Sequence, residues 1–313
     1  MHFGYQHKER YDTDMEVAKN SQPSKSELTA CEKLRDLIVN DRTVVVPGVT
    51  SALNALLVKE AGFEVTYLSG AGLTNTLLGM PDLGLLSLNE LADTATKIGQ
   101  VCDLPLIVDV DTGFGNAVNV NNCVKVMERA GAAAIQIEDQ SFPKKCGHFD
   151  KKKVVPLDEM LGKLKSALDA RIDENFVIIA RTDAAEELGF NEALDRSLAF
   201  IECGVDMVFV EAPRSYEEIK KISELNIPTL LNIVVGGKTP MLPFSELQDL
   251  GISMVLYANA CLQTMIFSVT DCLRVLKSTG SLKEFENRMA SFEERQKVLD
   301  LESFKKLEIL YAK

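Results

Sequence analysis

Short apolar runs alternate with longer amphipathic segments along the chain from residue 43 onward. Several of the runs are apolar throughout, which is typical of parallel strands buried on both faces. The predicted strands are Thr43–Val46, Val65–Leu68, Leu106–Asp109, Ala133–Ile137, Phe176–Ala180, Met207–Val210, Thr229–Leu231 and Met254–Tyr257.

Between these strands, apolar residues recur at three- and four-residue spacing, which predicts outer helices. The predicted helices are Ser51–Ala61, Val118–Ala130, Leu157–Arg171, Glu192–Cys203 and Tyr216–Leu225. Helical stretches are followed by glycines, as expected of left-handed C-terminal residues, at Gly62, Gly131, Gly204 and Gly251. Eight such units predict an α/β protein with a closed (β/α)₈ TIM barrel; a doubly wound open sheet is the alternative.

The predicted barrel spans residues 28–280, between a mobile N-terminal arm (1–27) and C-terminal helices (281–313) that pack on the barrel or a neighbouring subunit. A net charge of −12 argues against nucleic acid as a partner. No apolar segment approaches the roughly 20 residues that a membrane span requires, and the arm lacks the apolar core of a secretory signal. Seven scattered cysteines, an odd number, favour a reducing, cytoplasmic location.

Polar side chains stand at the C-terminal end of nearly every predicted strand, which is the face where such barrels build active sites. They are Tyr67, Ser69, Asp109, Asp111, Glu138, Arg181, Glu211, Asn232, Tyr257 and Asn259. We expect them to converge on one mouth.

Carboxylates are frequent in this set: Asp109, Asp111, Glu138 and Glu211, with Asp82 in a nearby loop as a possible fifth. Like charges in a low-dielectric mouth repel strongly unless they are neutralised. Because an all-oxygen ligand set suits Mg²⁺, or Mn²⁺ in its place, the sequence predicts a metal site at Asp109, Asp111, Asp82 and Glu138. An isolated Asp-x-Asp is usually a solvated loop pair, but here it directly follows a strand.

A second group is Lys144-Lys145-Cys146-Gly147-His148. A thiol between lysines and an imidazole has a lowered pKa, which makes it a competent acid or base, and Gly147 allows the backbone to approach a ligand. The alternatives are a solvated basic loop, a metal-binding Cys-His pair and a redox thiol. Zinc is disfavoured because the only other histidines lie in the predicted arm.

Seven ordered motifs extend this picture: Tyr67–Gly70, Leu78–Asp82, Val108–Gly115, Ile137–Gln140, Lys144–His148, Ala180–Ala184 and Glu211–Pro213. With them, the chain resembles the lyase branch of the isocitrate lyase and phosphoenolpyruvate mutase superfamily from roughly residue 30 to 290. The resemblance implies a barrel whose eighth helix is swapped between subunits, usually in a tetramer. It also implies Mg²⁺ held largely through water, with Asp109 and Asp111 closest.

For the substrate, the resemblance implies a small 2-hydroxy or 2-keto dicarboxylate. Its acid end would be bound by Ser69, Gly70 and Ala71, with Arg181 clamping a carboxylate and Cys146 on a gating loop. Further substrate contacts are expected from Gly147, Glu211, Asn232 and Val234.

The expected reaction is a retro-aldol-type carbon–carbon cleavage. Tyr67 takes the 2-hydroxyl proton, Cys146 protonates the carbanion equivalent, and His148 and Arg181 offset the departing carboxylate's charge; Glu138 also counts among the catalytic residues. Enzymes of the mutase branch characteristically lack a Lys-Lys-Cys-Gly-His type loop, so its presence favours cleavage.

Substrate choice depends on what surrounds Asn232. Methylisocitrate lyases place a hydroxyl and an arginine where this chain has Val234 and Gln263, so a third carboxylate would be poorly paired. The segment 232–240 looks more like the group of dimethylmalate lyases and petal death proteins. The sequence therefore favours a 2-alkylmalate lyase over methylisocitrate lyase. Oxaloacetate acetylhydrolase, a mutase or phosphonate hydrolase, and an inactive binding barrel are further alternatives.

Overall fold

The computed structural model describes residues 28–40, 42–147 and 152–312. Eight parallel strands form one sheet across these ranges. They are β1 Val44–Val49, β2 Thr66–Leu68, β3 Leu106–Asp109, β4 Ala134–Glu138, β5 Val177–Thr182, β6 Met207–Val210, β7 Leu230–Asn232 and β8 Met254–Tyr257.

Consecutive strands pair from β1 to β6, β7 pairs with β8, and β8 returns to pair with β1. The remaining gap, between β6 and β7, is bridged at Val208 and Thr229, and the Val208 amide donates to the Pro228 carbonyl at 3.1 Å. The sheet is therefore a closed (β/α)₈ barrel, which confirms the predicted fold over the open-sheet alternative.

Helices follow the strands around the barrel. They are α1 Ala30–Val39, α2 Ala52–Glu60, α3 Gly70–Leu73, α4 Leu88–Gly99, α5 Ala117–Arg129, α6 Leu157–Ala170, α7 Ala184–Glu187, α8 Phe190–Cys203, α9 Tyr216–Ser223, α10 Phe244–Asp249, α11 Ala260–Thr279, α12 Phe292–Val298 and α13 Leu301–Tyr311. A π-helical turn spans Thr74–Leu78 and a 3₁₀ helix Lys283–Arg288.

The helix ends follow local chemistry. Helix α4 begins at a capping box in which the Ser87 hydroxyl accepts from the Glu90 amide and the Glu90 carboxylate accepts from the Ser87 amide at 2.8 Å. The four glycines predicted to terminate helices have φ values of 84°, 89°, 95° and 77° in chain order, which confirms their left-handed conformation.

The predicted strands agree with the structure to within a few residues. The main differences are β1 and β5, which continue to Val49 and Thr182 because neighbouring strands pair with their C-terminal residues. The helical pattern does not single out α1 or α4, although both have a buried apolar face. The predicted arm, residues 1–27, lies outside the described residues.

The core lies inside the barrel and between the strands and the helices. Helix α11 is unusually exposed for its length: it has 20 residues, and only one of them, Leu262, is buried. Beyond it, α12 contacts α2 of the same chain. No helix in the described ranges is long and apolar enough to cross a membrane.

Candidate active site

The C-terminal ends of the strands surround a small pocket. Most residues predicted to form the site line it, namely Tyr67, Ser69, Ala71, Asp82, Asp109, Cys146, Gly147, Arg181, Glu211, Asn232 and Val234. Parallel strands bring these residues together because their carboxyl ends face the same side of the barrel.

Three other predicted residues lie around the pocket. Gly70 begins α3, and its amide donates to Asp109 Oδ2 at 3.3 Å, so it holds a site carboxylate in place. Asp111 and Glu138 are buried next to the lining residues. His148 lies outside the described residues.

Acidic side chains crowd one side of the pocket around a buried lysine. Lys144 Nζ lies 2.7 Å from Asp82 Oδ1 and 2.5 Å from Asp111 Oδ1, with all three side chains almost inaccessible to solvent. Burial alone would lower the pKa of Lys144, but Asp111 and Glu138 raise it well above its usual value. The ammonium predicted to activate Cys146 is thus directed at carboxylates.

Burial dominates the acidity of the same carboxyl groups. It raises the pKa of Asp111 to about 7 against the opposing effect of Lys144, and it raises the pKa of Glu138 well above its usual value. Glu138 Oε1 has no hydrogen-bond partner within the described ranges. The protein neighbours alone therefore do not fully stabilise the ionised forms of these groups, and an added cation would favour ionisation.

This charge distribution fits a divalent cation. No three acidic, imidazole or thiol side chains of the described ranges are grouped closely enough to chelate a metal directly. A cation near Asp82, Asp109 and Asp111 would therefore contact them largely through water, which is how Mg²⁺ is commonly held.

Arg181 also lines the pocket and is surrounded by acids. Its Nε lies 2.8 Å from Asp183 Oδ2 and 3.3 Å from Glu138 Oε2, and its Nη2 lies 2.9 Å from Glu211 Oε2. Its guanidinium also stacks over Phe209, 5.0 Å from the ring centre. Five donors in a rigid fork allow Arg181 to keep these contacts and still bind a ligand carboxylate through Nη1.

Tyr67 extends from β2 into the barrel, where it is fully buried. Its hydroxyl donates to Gln136 Oε1 at 2.5 Å. Burial and the nearby Asp109 raise the pKa of Tyr67 well above its usual value, so the phenol is protonated in this environment. The sequence analysis did not identify Gln136 as a site residue, because it occupies an interior position of a buried strand rather than the end of one.

The loop after β4 carries Cys146. The Gln140 side chain fixes this loop by accepting from the Lys145 amide at 2.9 Å and donating to the Lys145 carbonyl at 2.8 Å. The thiol is half-buried and lines the pocket, and Gly147 is buried beside Arg181 and Glu211.

One part of the pocket wall is apolar or neutral. It consists of Phe209, Val234, Leu256 and Ala258, with the amides of Asn232 and Asn259. The sequence did not indicate Phe209, Leu256 or Ala258, which alternate along ordinary barrel strands and carry no chemical signal of their own.

The fold and the site together define an enzyme of the (β/α)₈-barrel class with a buried acidic centre and a thiol. The phosphoenolpyruvate phosphomutase family profile matches residues 34–276. The chain therefore belongs to this family, within the phosphoenolpyruvate mutase and isocitrate lyase superfamily.

Three curated relatives align with most of the chain. The 2,3-dimethylmalate lyase of Eubacterium barkeri is 40% identical over 287 residues, covering 91% of this chain and 99% of the relative. The chloroplastic carboxyvinyl-carboxyphosphonate phosphorylmutase of Arabidopsis thaliana is 38% identical, with 88% and 83% covered. The 2-methylisocitrate lyase of Aeropyrum pernix is 41% identical over 257 residues, covering 82% of each.

Solved structures of three enzymes superpose on the chain over most of its length. A 2,3-dimethylmalate lyase superposes with a TM-score of 0.85 at 31% identity, covering 92% of this chain and 97% of that one. An oxaloacetate acetylhydrolase bound to 3,3-difluorooxalacetate superposes with a TM-score of 0.85 at 32% identity, covering 90% of this chain and 96% of that one. A phosphonopyruvate hydrolase complex with oxalate and Mg²⁺ superposes with a TM-score of 0.83 at 30% identity, covering 91% of this chain and 100% of that one. The lyases among these relatives assign the chain to the carbon–carbon lyases.

Proposed function

We propose that the chain is a Mg²⁺-dependent lyase that cleaves a 2-alkylmalate such as 2,3-dimethylmalate into pyruvate and a carboxylic acid. Mn²⁺ would substitute for Mg²⁺. The 40% identical 2,3-dimethylmalate lyase supports this substrate class, as does the chemistry of the pocket wall.

The observation that carries the proposal is the lack of a spare cation for a third carboxylate. Among the described lining residues the only cations are Lys144 and Arg181, and both are already paired with buried acids. Val234 lines the neutral wall, whereas Gln263 donates to the Val235 carbonyl at 3.2 Å and does not line the pocket. A tricarboxylate would leave one buried charge poorly paired, at a cost of several kcal/mol, whereas an alkyl group fits this wall.

A dicarboxylate would lie with its 2-hydroxy acid end towards Ser69 and Ala71 and its other carboxylate towards Arg181. A divalent cation bound near Asp82, Asp109 and Asp111 would stabilise negative charge on the keto-acid oxygens. Tyr67 then takes the proton of the 2-hydroxyl. Since burial raises the pKa of Tyr67, this role requires an additional positive charge near the phenol, as a bound cation would supply, to lower the pKa again.

The second step needs a proton donor, and we propose Cys146, which lines the pocket, for this role. Loss of the 2-hydroxyl proton converts C2 to a ketone as the C2–C3 bond breaks, and its electron pair remains on C3 and the attached carboxylate. The Cys146 thiol donates its proton to C3, which completes the carboxylic acid product. Arg181 also lines the pocket and would balance the charge of the attached carboxylate. His148 is proposed to assist on the same side.

A substrate panel tests this proposal. Purified protein with Mg²⁺ is offered 2,3-dimethylmalate, methylisocitrate, oxaloacetate and phosphonopyruvate, with keto-acid release or loss as the readout. The last three substrates represent the methylisocitrate lyase, oxaloacetate acetylhydrolase and phosphonate-converting relatives. We expect the highest kcat/KM for 2,3-dimethylmalate; rapid succinate release from methylisocitrate would overturn the substrate assignment.

Cys146→Ser tests the thiol, with Cys203→Ser, at the half-buried cysteine that ends α8, as the matched control. The hydroxyl of serine is a far weaker acid than a thiol, so turnover should fall by about 10²–10⁴-fold, the usual contribution of a positioned acid or base. Oxalate binding should persist in Cys146→Ser. Unchanged turnover would refute the role of the thiol.

We also propose that the chain forms a homotetramer built from helix-swapped dimers. Helix α11 exposes an apolar face that its own barrel does not cover, formed by Met265, Ile266, Phe267, Val269, Leu273 and Leu276. A helix of 20 residues is about 30 Å long, and an apolar surface of this extent favours a protein interface. The proposed occupant is the same region of a second copy. We further propose a cytoplasmic location, because seven scattered cysteines, an odd number, suit a reducing compartment.

Light scattering on the purified chain tests the assembly, with a tetramer expected. Phe267→Asp places a charge on the exposed α11 face, so we expect the assembly to dissociate; Val118→Asp, on the exposed start of α5, is the control. A wild-type monomer would contradict the proposed tetramer.

A further inference from the structure

A buried lysine connects the thiol-bearing loop to the barrel. Lys152 is 1% exposed in its side chain, and its Nζ lies 2.7 Å from Oδ1 of the equally buried Asp183. The same ammonium donates to the carbonyl oxygen of Gly147, the residue after Cys146. One side chain therefore contacts both the loop and the end of strand β5.

Asp183 is itself firmly held. Its carboxylate accepts from Arg181 Nε at 2.8 Å and from Arg181 Nη2 at 3.0 Å, and its amide donates to Asp139 Oδ1 at 2.9 Å. Burial would raise the pKa of Asp183, but Arg181 and Lys152 outweigh it and hold the pKa below its usual value. Asp183 is thus a fixed anion against which an ammonium can be placed.

The anchored loop packs tightly on the ligand-binding arginine. A Cβ added at Gly147 would lie 2.4 Å from Arg181 Nη2 and 2.6 Å from Glu211 Cδ. The backbone next to Cys146 therefore rests directly on the Arg181–Glu211 pair. A shift of this backbone would move the thiol relative to the arginine.

We propose that Lys152 is a positioning residue that holds the backbone of Cys146 and Gly147 against Arg181 through Asp183. This inference rests on the proposed function, in which Cys146 delivers a proton to a ligand that Arg181 binds. Lys152 touches neither ligand nor reacting atom; it sets the distance between the two groups that do. Its role goes beyond packing because its ammonium bridges a backbone carbonyl of the loop and a carboxylate of the barrel.

The test follows the reactivity of Cys146 in the full-length protein, without turnover. The protein is treated with iodoacetamide, and alkylation of each cysteine is measured by mass spectrometry over time. Lys152→Met keeps the length of the side chain and removes its donors, so we expect Cys146 to react about tenfold faster or slower than in the wild type. Lys153→Met, at the exposed neighbouring lysine, is the matched control and should match the wild type.

The buried thiols of Cys102 and Cys123 report on the fold, because they should stay protected as long as the core is intact. If Lys152→Met loses that protection, the test uses Lys152→Arg instead. Arginine keeps the charge opposite Asp183 but is too large for the same contacts. Cys146 reactivity should then change in Lys152→Arg. An unchanged rate at Cys146 in a folded Lys152 variant would overturn the proposal.

Kinetics of the same variants complete the test. A misplaced thiol should lower kcat for 2,3-dimethylmalate while the dissociation constant of oxalate stays within about twofold. If Cys146 proves dispensable for turnover, the proposed function fails, but the alkylation result still decides whether Lys152 positions the loop. The two failures are therefore distinguishable.

Discussion

Gly147→Ala offers a sharp test of how closely the thiol loop must approach Arg181. The added Cβ would lie 2.4 Å from Arg181 Nη2, whereas ordinary contacts begin at 3.4 Å, so the loop or the guanidinium must move by about 1 Å. Misplacement of a reacting group by about 1 Å can cost about 10²-fold in rate. We therefore expect kcat/KM to fall by about 10²-fold, equivalent to about 2.7 kcal/mol of transition-state stabilisation.

The assay compares pyruvate release from 2,3-dimethylmalate by wild type, Gly147→Ala and Gly162→Ala. Gly162 lies within α6, where an added Cβ meets nothing within 4 Å. Alanine there should stabilise the helix by about 0.5–1 kcal/mol and leave turnover unchanged. Wild-type turnover in Gly147→Ala, with the same thermal unfolding midpoint, would refute the close approach of loop and guanidinium.

Three further predictions concern stability and metal dependence. Gly48→Ala should cost about 3 kcal/mol or more in urea unfolding, because its Cβ would lie 1.9 Å from the Ala258 carbonyl oxygen; an unchanged midpoint would contradict the β1–β8 packing. Asp183→Asn should cost about 3–5 kcal/mol at pH 7 by leaving Lys152 unpaired. Since the pKa of Asp183 is depressed on folding, its stabilisation is present above the unfolded value near 4 and is lost as pH falls further. The difference in the free energy of unfolding between wild type and Asp183→Asn should therefore narrow below about pH 4. A difference that stays constant down to pH 3 would exclude a stabilising role for this ion pair. Dialysis against EDTA should abolish turnover and added Mg²⁺ or Mn²⁺ should restore it; full activity in EDTA would exclude the cation.

The barrel could be predicted because its signal is local and repeated. A strand buried on both faces must be apolar along its length, and a helix packed on it must repeat every three to four residues. Polar residues at a strand's carboxyl end, such as Asp109 or Arg181, therefore stand out as site residues from the residue pattern alone. The same logic fails at β5, where polar Thr182 continues the strand because β6 pairs with it.

Side-chain direction lay beyond the sequence. Lys144 neighbours Cys146 along the chain, which suggested that its charge acts on the thiol, yet its ammonium pairs with Asp82 and Asp111. These carboxylates lie dozens of residues away, so only the closed barrel brings them within contact distance. Gln136 and its hydrogen bond to Tyr67 were hidden for the same reason.

The sequence by itself determined the order of the strands, most of the helices between them and the end of the barrel that carries the polar side chains, since each depends on residue type and spacing. Only the tertiary structure decided the partners of each charge. Burial raises the pKa of Asp111 to about 7 while Asp183, also buried, keeps a depressed pKa between Arg181 and Lys152. Two aspartates with the same intrinsic acidity thus acquire opposite shifts, because desolvation and charge pairing depend on three-dimensional neighbours.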